Sequence, residues 1–341
     1  MDPREGRPAH VTRLAEIVQA FRGRRIAVAG DLVGDEFVHG DIMRVSREAP
    51  VLILQHAKTE VVPGGAGNAV ANLRALGATP LPVGVIGPDA AGQALVEAFR
   101  RAGVSVAGIK VEHGYETPTK SRVLAGGVHT RRQQIVRIDR GSPHGDLPRG
   151  APARVRTRLR AVLPRAEGLL LADYGYGAAP PELLARIPRR LLPPVVTVDS
   201  RERVAAFRGA TACTPNQEEV ERALGVTSFR GTAAVLDAGR KLLRRTGNDA
   251  VLVTRGAAGM VLIERGGSPV SIPPFGDGEV ADVTGAGDTV IAVFTLARAC
   301  GASFEEAARL ANVAAGLVVM KYGTATVSPR ELLRALEEGA A

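Results

Sequence analysis

The feature that most restricts this chain is an alternation of strands and helices sustained over roughly 300 residues, a cadence that packs as a parallel or mostly parallel sheet. Residues 26–29 read as a buried strand ending in a Gly-Asp turn. The run NAVANLRAL at 68–76 spaces its apolar residues helically, Gly77 ends it, and 81–86 supply the next strand. The unit returns as a helix at 90–102 closed by Gly103, buried strands at 169–172 and 195–199, and a helix at 232–245. Strands at 250–254 and 259–264 and helices at 285–300 and 304–320 follow. This predicts an α/β chain with a doubly wound sheet covered by helices on both faces. Two stretches, 36–61 and 109–139, alternate polar and apolar residues instead, as in VLILQHAKTEV and QQIVRID. They predict a small inserted β-sheet with one wet face, placed to act as a lid over a site. No Gly/Ser linker or internal repeat divides the chain, so residues 1–341 are expected to form one domain with a core at about 24–333.

Composition excludes several classes. Hydrophobic residues at 45% and charged residues at 23% suit a globular core. Two cysteines, Cys213 and Cys300, are too few for a disulfide framework or a four-ligand zinc site and fit a reducing compartment. With no apolar run of about 18 residues and no signal-like segment at the start, a soluble cytoplasmic protein without a membrane partner is expected. The net charge of +9 invites a nucleic-acid reading. Against it, lysine occurs only at 58, 110, 120, 241 and 321, the other 39 basic residues are scattered arginines, and tryptophan is absent. Stacking platforms for single strands are therefore not expected.

Four stretches carry residues suited to phosphate and sugar chemistry. In DVTGAGDTVIAV (282–293), Gly285, Ala286 and Gly287 open an apolar helix, so their N–H groups would lie unpaired where negative charge is welcome. Asp288 falls in that first turn and could take a proton from a hydroxyl attacking phosphorus, or merely complement the helix dipole. In PGGAGNAVANLRALG (63–77), Gly64 and Gly65 let a ligand lie on bare backbone, and Asn68 offers an amide to a sugar hydroxyl; a tight turn with a cap explains them equally. In GDLVGD (30–35), Asp31 and Asp35 lie beyond the carboxyl end of the first strand and suit vicinal hydroxyls, with turn formation as the competing reading. In TPNQEE (214–219), Asn216 and Glu219 either organise Mg²⁺ through water and nucleotide phosphates or form a helix N-cap. Of the lid cations Lys120, Arg122, Arg131, Arg132 and Arg137, the first two share a face, which suits a phosphate clamp or a charged edge strand. His39, His113 and His129 show no metal-ligand spacing.

Taken together and in order, these stretches resemble the ribokinase-like (PfkB) family of carbohydrate kinases: GGAGNAVANLRALG with Gly87 beyond it is similar to one signature, DVTGAGDTVIAV to the other. Within it, RVSREAPVL, TKSRVL, QQIVRID, ADYGYGA, TPNQEEVE and ANVAAGLVVMKYGTATVSPREL resemble the heptose-7-phosphate kinases of lipopolysaccharide core biosynthesis. The resemblance implies a ribokinase-like fold and an ATP- and Mg²⁺-dependent kinase that phosphorylates C1 of D-glycero-D-manno-heptose 7-phosphate to the 1,7-bisphosphate. It implies Asp288 as base, with Gly285, Ala286 and Gly287 as the anion hole. Asp35, Gly64, Gly65 and Asn68 would bind sugar, Asn216 and Glu219 would organise Mg²⁺, and Thr254 and Gly256 would meet nucleotide phosphate. Asn312 would lie near adenine, while Asp282, Thr284 and Ser328 are candidate ligands for a monovalent cation such as K⁺. It also implies a homodimer through the lid, and no nucleotidyltransferase half is expected before Ala341.

Two residues depart from the heptose kinases. Tyr176 stands where they carry Lys in DYGKG, removing a fixed charge that Arg201 or another arginine would replace, and Arg47 stands where Pro is usual. Two other readings stay open: a kinase of the same family acting on ribose, fructose or an adenosine-like nucleoside, and a non-catalytic sugar or nucleotide sensor.

Overall fold

The computed structural model describes residues 9–126, 133–141, 147–226, 231–276 and 280–339. Helix α1 (Ala9–Gln19) precedes strand β1 (Arg25–Gly30), and two 14-residue strands follow, β2 (Leu32–Val45) and β3 (Leu52–Gly65). Next come α2 (Ala66–Ala75), β4 (Thr79–Ile86), α3 (Ala90–Arg101), β5 (Ile109–Val111), β6 (Thr119–Gly126) and β7 (Gln133–Arg140). The middle of the chain forms α4 (Ala151–Val162), β8 (Gly168–Asp173), α5 (Pro181–Ala185), β9 (Val195–Ser200), β10 (Ala212–Cys213) and α6 (Gln217–Leu224). The last third forms α7 (Thr232–Thr246), β11 (Ala250–Thr254), β12 (Met260–Glu264), β13 (Val270–Ile272), α8 (Ala286–Ala299), α9 (Phe304–Val319) and α10 (Pro329–Glu338).

Nine strands form one sheet in the order β13-β12-β11-β10-β9-β8-β1-β4-β5, parallel from β5 to β11 and antiparallel beyond it. Side-chain parity divides strands β1, β4, β8, β10, β11 and β12 between two cores. Ile26 and Val28 of β1 join Leu73 of α2, Phe294 of α8 and Leu310 of α9 on one face. Their neighbours Ala27 and Ala29 join Leu159 of α4 and Leu242 of α7 on the other. The doubly wound α/β expectation holds because both faces of these strands are apolar and both are covered.

The other four strands form a separate sheet in the order β3-β2-β6-β7, with β2 and β6 parallel and the outer pairs antiparallel. Two expected boundaries shift. The inserted sheet takes 32–65, 119–126 and 133–140, whereas residues 109–111 pair with β4 in the large sheet. An edge strand there has a wet face too, so its alternation mimicked the lid pattern. The core also extends past 24–333, since Val11, Leu14, Ile17 and Val18 of α1 pack with Leu332 and Leu336 of α10. Their spacing is helical, but a single amphipathic helix at each end falls outside the strand–helix cadence.

Phe294 is fully buried and faces Phe304 with ring centroids 6.3 Å apart. Phe294→Ala should lower the unfolding free energy by about 3–5 kcal/mol, read from urea denaturation at unchanged slope.

Candidate active site

The site lies beyond the carboxyl ends of the parallel strands, where open α/β sheets hold ligands. Asp31, directly after β1, is 1% exposed and accepts backbone N–H bonds from Tyr174 (2.8 Å), Tyr176 (3.0 Å) and Ala178 (2.8 Å). Burial pushes its carboxyl up to about 6 against those three amides. Asp173, at the end of β8, accepts from Ser200 Oγ (2.7 Å) and from Arg203, tying β8 to β9. The loop after β8 is thus fixed to both neighbouring strands.

Gly285 stands at φ 81° before α8, which begins without a capping side chain, and Gly285 and Gly287 line the cavity at that helix start. The Ala286 N–H bonds to the Val283 carbonyl at 3.3 Å, and Ala286 faces a second, apolar slot. Asp288 is 5% exposed. Its Oδ2 accepts from Asn68 Nδ2 at 2.9 Å and its Oδ1 from the Tyr174 hydroxyl. Behind Asn68 a chain of donors continues: Asn72 Nδ2 donates to Asn68 Oδ1 (3.1 Å), and Thr289 Oγ1 donates to Asn72 Oδ1 (3.1 Å). Burial pushes the Asp288 carboxyl up to about 6, and the donors from Tyr174 and Asn68 restrain the rise.

A cavity of about 450 Å³ gathers Asp288 with Asp35, Lys120 and Arg122 of the small sheet and with Asp199 and Arg201 at the end of β9. Arg122 pairs with Asp35 at 2.6 Å, and Arg137, also on the wall, forks onto Asp139 at 2.9 and 3.0 Å. Lys120 and Arg201 instead stand over the Tyr174 ring, 5.4 and 4.6 Å from its centroid. Burial and Arg201 lower the Lys120 ammonium to about 8. An apolar slot of about 380 Å³, walled by Phe275, Ala315 and Val319 among others, adjoins the cavity and shares Thr254, Val283 and Gly287 with it.

Other expected residues are distributed as follows. Gly65 lines the polar cavity at φ 58°, whereas Gly64 backs the Asp35 carboxylate so closely that a Cβ would collide with it. Asn68 is 1% exposed and serves Asp288 rather than the cavity wall. Asn216 and Glu219 line the wall and form a reciprocal capping box on α6 (2.8 Å each way). Thr254 touches both cavities, Gly256 lines the apolar slot, and Asn312 lines it while its amide donates to the Pro273 carbonyl at 2.8 Å. Asp282 accepts from the amides of Thr284 (2.9 Å) and Gly323 (3.1 Å), while Ser328 caps α10 and donates to Glu331 at 2.7 Å. Those two side chains are committed to their loops; Thr284 lines the polar cavity. Tyr176 is 6% exposed and lies within electrostatic reach of Arg201 and Arg137. Arg131, Arg132 and His129 lie outside the described residues.

For Mg²⁺, the same wall offers Asp199, pushed well above the usual carboxylate range by burial and by Glu219, and Glu219, pushed up to about 7 by burial. The Thr214 hydroxyl beside them is buried without a hydrogen-bond partner among the described residues. Two carboxylates whose charged forms burial disfavours, and an orphaned hydroxyl oxygen, are donors that suit a hydrated Mg²⁺.

The pfkB family carbohydrate kinase model matches residues 33–140 and 193–331. The chain belongs to this family. Members are phosphotransferases with an alcohol group as acceptor and generally use ATP and Mg²⁺. The bifunctional protein HldE of Geobacter metallireducens is 43% identical over 309 residues, covering 90% of this chain and 61% of that protein. The HldE of Paramagnetospirillum magneticum is 39% identical over 331 residues, covering 96% and 66%. This kinase-family chain therefore spans about three fifths of the length of the curated relatives it matches. Its fold is that of Escherichia coli phosphofructokinase-2, solved in complex with potassium, with a TM-score of 0.75 at 16% identity, covering 93% and 99% of the chains. Arabidopsis thaliana ribokinase complexed with ribose and ATP superposes with a TM-score of 0.70 at 21% identity, covering 93% and 99%.

Sequence reasoning gave Tyr174, Asp199 and Thr214 no role. ADYGYGA stood out as a stretch, but nothing in its spacing points to a carboxylate 114 residues away. For Asp31, Asp31→Ala should destabilise the fold by about 3 kcal/mol and speed amide exchange at Tyr174, Tyr176 and Ala178, read by hydrogen-exchange mass spectrometry.

Proposed function

We propose that this chain is an ATP-dependent heptose-7-phosphate kinase that transfers the γ-phosphoryl group of ATP to the C1 hydroxyl of D-glycero-D-manno-heptose 7-phosphate. The observation that carries the reading is one cavity holding a buried, doubly hydrogen-bonded Asp288 together with Lys120 and Arg201, two cations that among the described residues stand over an aromatic ring with no carboxylate in salt-bridge distance. Such a pair suits an acceptor that brings its own phosphate. Support also comes from the motifs shared with heptose-7-phosphate kinases and from the similarity to bifunctional HldE proteins.

In this reading Asp288 takes the proton of the C1 hydroxyl as its oxygen attacks the γ-phosphorus, and the bond to the bridging oxygen of ADP breaks. Open amides at the start of α8 hold the charge of the transferring group. Asp35, steadied by Arg122, meets the sugar; the apolar slot takes the adenine, with Thr254 at the junction. Asn216, Glu219 and Asp199 would hold Mg²⁺, which when bound would neutralise nucleotide phosphate charge. A monovalent cation beside α8 would draw on carbonyl oxygens around Asp282 and Thr284. The small sheet acts as the lid, and exposed Ile135, Val136 and Ile138 on β7 support a homodimer through it. We read the protein as a cytoplasmic enzyme; among the described residues no helix is long and apolar enough to cross a membrane.

Turnover on heptose 7-phosphate should exceed that on ribose, fructose or adenosine by orders of magnitude in a substrate panel with product identification; equal rates on unphosphorylated sugars would sink the proposal. Asp288→Asn should fold and lose about 10²–10⁴ in kcat. As pH falls through about 6, Asp288 gains its proton and kcat/KM should drop. As pH rises past about 8, Lys120 loses its charge and KM for the sugar phosphate should climb. Both limbs are read from one steady-state pH profile.

A further inference from the structure

Tyr174 joins two groups that the mechanism otherwise keeps apart. Its hydroxyl donates to Asp288 Oδ1, and its ring carries the Lys120 ammonium on one hand and the Arg201 guanidinium on the other. Its own amide is fixed to Asp31 at 2.8 Å, so the side chain is anchored from the backbone outward. Burial and the facing Asp288 raise its phenol well above the usual value, which keeps it a proton donor throughout the neutral range.

A carboxylate held by one donor pivots about that bond. Asn68 alone fixes Oδ2; the phenol fixes Oδ1 and with it the carboxylate plane. The ring's effect on the cations is different in kind. Arg122 and Arg137 are each neutralised by a carboxylate, Asp35 and Asp139. An aromatic face orients a cation and leaves its charge intact for an incoming anion. We propose that Tyr174 is a positioning residue for phosphoryl transfer, its phenol aiming the Asp288 carboxylate at the acceptor hydroxyl and its ring seating Lys120 and Arg201 for the acceptor's phosphate. The proposal rests on Asp288 being the base and on a phosphorylated acceptor.

The test compares the full chain with Tyr174→Phe, Tyr174→Leu and Asp288→Asn, measuring kcat and KM for heptose 7-phosphate and for ATP across pH, beside thermal melting. Tyr174→Phe keeps the ring and loses the donor. It should melt like the wild type, lose about tenfold in kcat at nearly unchanged KM, and shift its acid limb up by about one pH unit, because the charged carboxylate has lost a hydrogen bond. The other charges facing Asp288, namely Asp35 from β2 and Asp199 and Arg201 from the end of β9, are common to both proteins, so the shift reports the phenol. Tyr174→Leu should add a rise of about tenfold in KM for heptose 7-phosphate while KM for ATP holds. A Phe variant with wild-type kcat and an unmoved acid limb overturns the aiming role. So does a Phe variant whose losses track a lowered melting temperature while the limb stays put. A Leu variant with the KM of the Phe variant overturns the seating role. Retained turnover in Asp288→Asn overturns the base assignment instead.

Discussion

The Asp31 carboxylate is the constraint on which the rest of the site depends. A charged group 1% exposed is costly unless its lone pairs are filled, and here three consecutive-turn amides of the 174–178 loop fill them. The burial cost is what makes the arrangement specific. Any register of that loop that misses Asp31 leaves a buried carboxylate bare, so the loop beyond β8 is locked to the end of β1. Locking it puts the Tyr174 hydroxyl on Asp288, in the first turn of α8.

From the other direction, α2 and α8 fix the same carboxylate. The donors run Thr289, Asn72, Asn68 and end on the Asp288 carboxylate as acceptor, each amide or hydroxyl oriented by the next. Two independent backbone elements therefore agree on where one carboxylate stands. Burial raises that carboxylate toward neutral pH, and the two hydrogen bonds to its charged form hold the rise to about 6, where it is ionised in neutral solution yet basic enough to accept a proton.

The cations of the cavity wall divide by partner. Arg122 and Arg137 are spent on Asp35 and Asp139, which organises the lid; Lys120 and Arg201 rest on an aromatic face and keep their charge. The polar cavity and the apolar slot meet at Thr254, Val283 and Gly287, so an anionic and an apolar portion of one nucleotide have adjoining places. Tyr176, which stands where a lysine was expected, lies beside Arg201 and Arg137, two cations already on the cavity wall.

The sequence by itself determined the α/β layering, because strands with two apolar faces alternating with helices have few ways to be covered. It also marked the α8 terminus, since GAGD announces an uncapped helix start with an adjacent carboxylate. Local signals end there. Asn68 read as a sugar contact and became a ligand of Asp288; Gly64 read as a ligand surface and became the backing of Asp35. The alternation at 109–111 read as lid and became an edge strand of the large sheet. Tyr174 and Asp199 carried no readable signal. Only the tertiary structure decided these, because what a polar side chain does depends on which distant group fills its hydrogen bonds. The sheet brings together the ends of β1, β8, β9, β10 and β11, at residues 30, 173, 200, 213 and 254 of the chain.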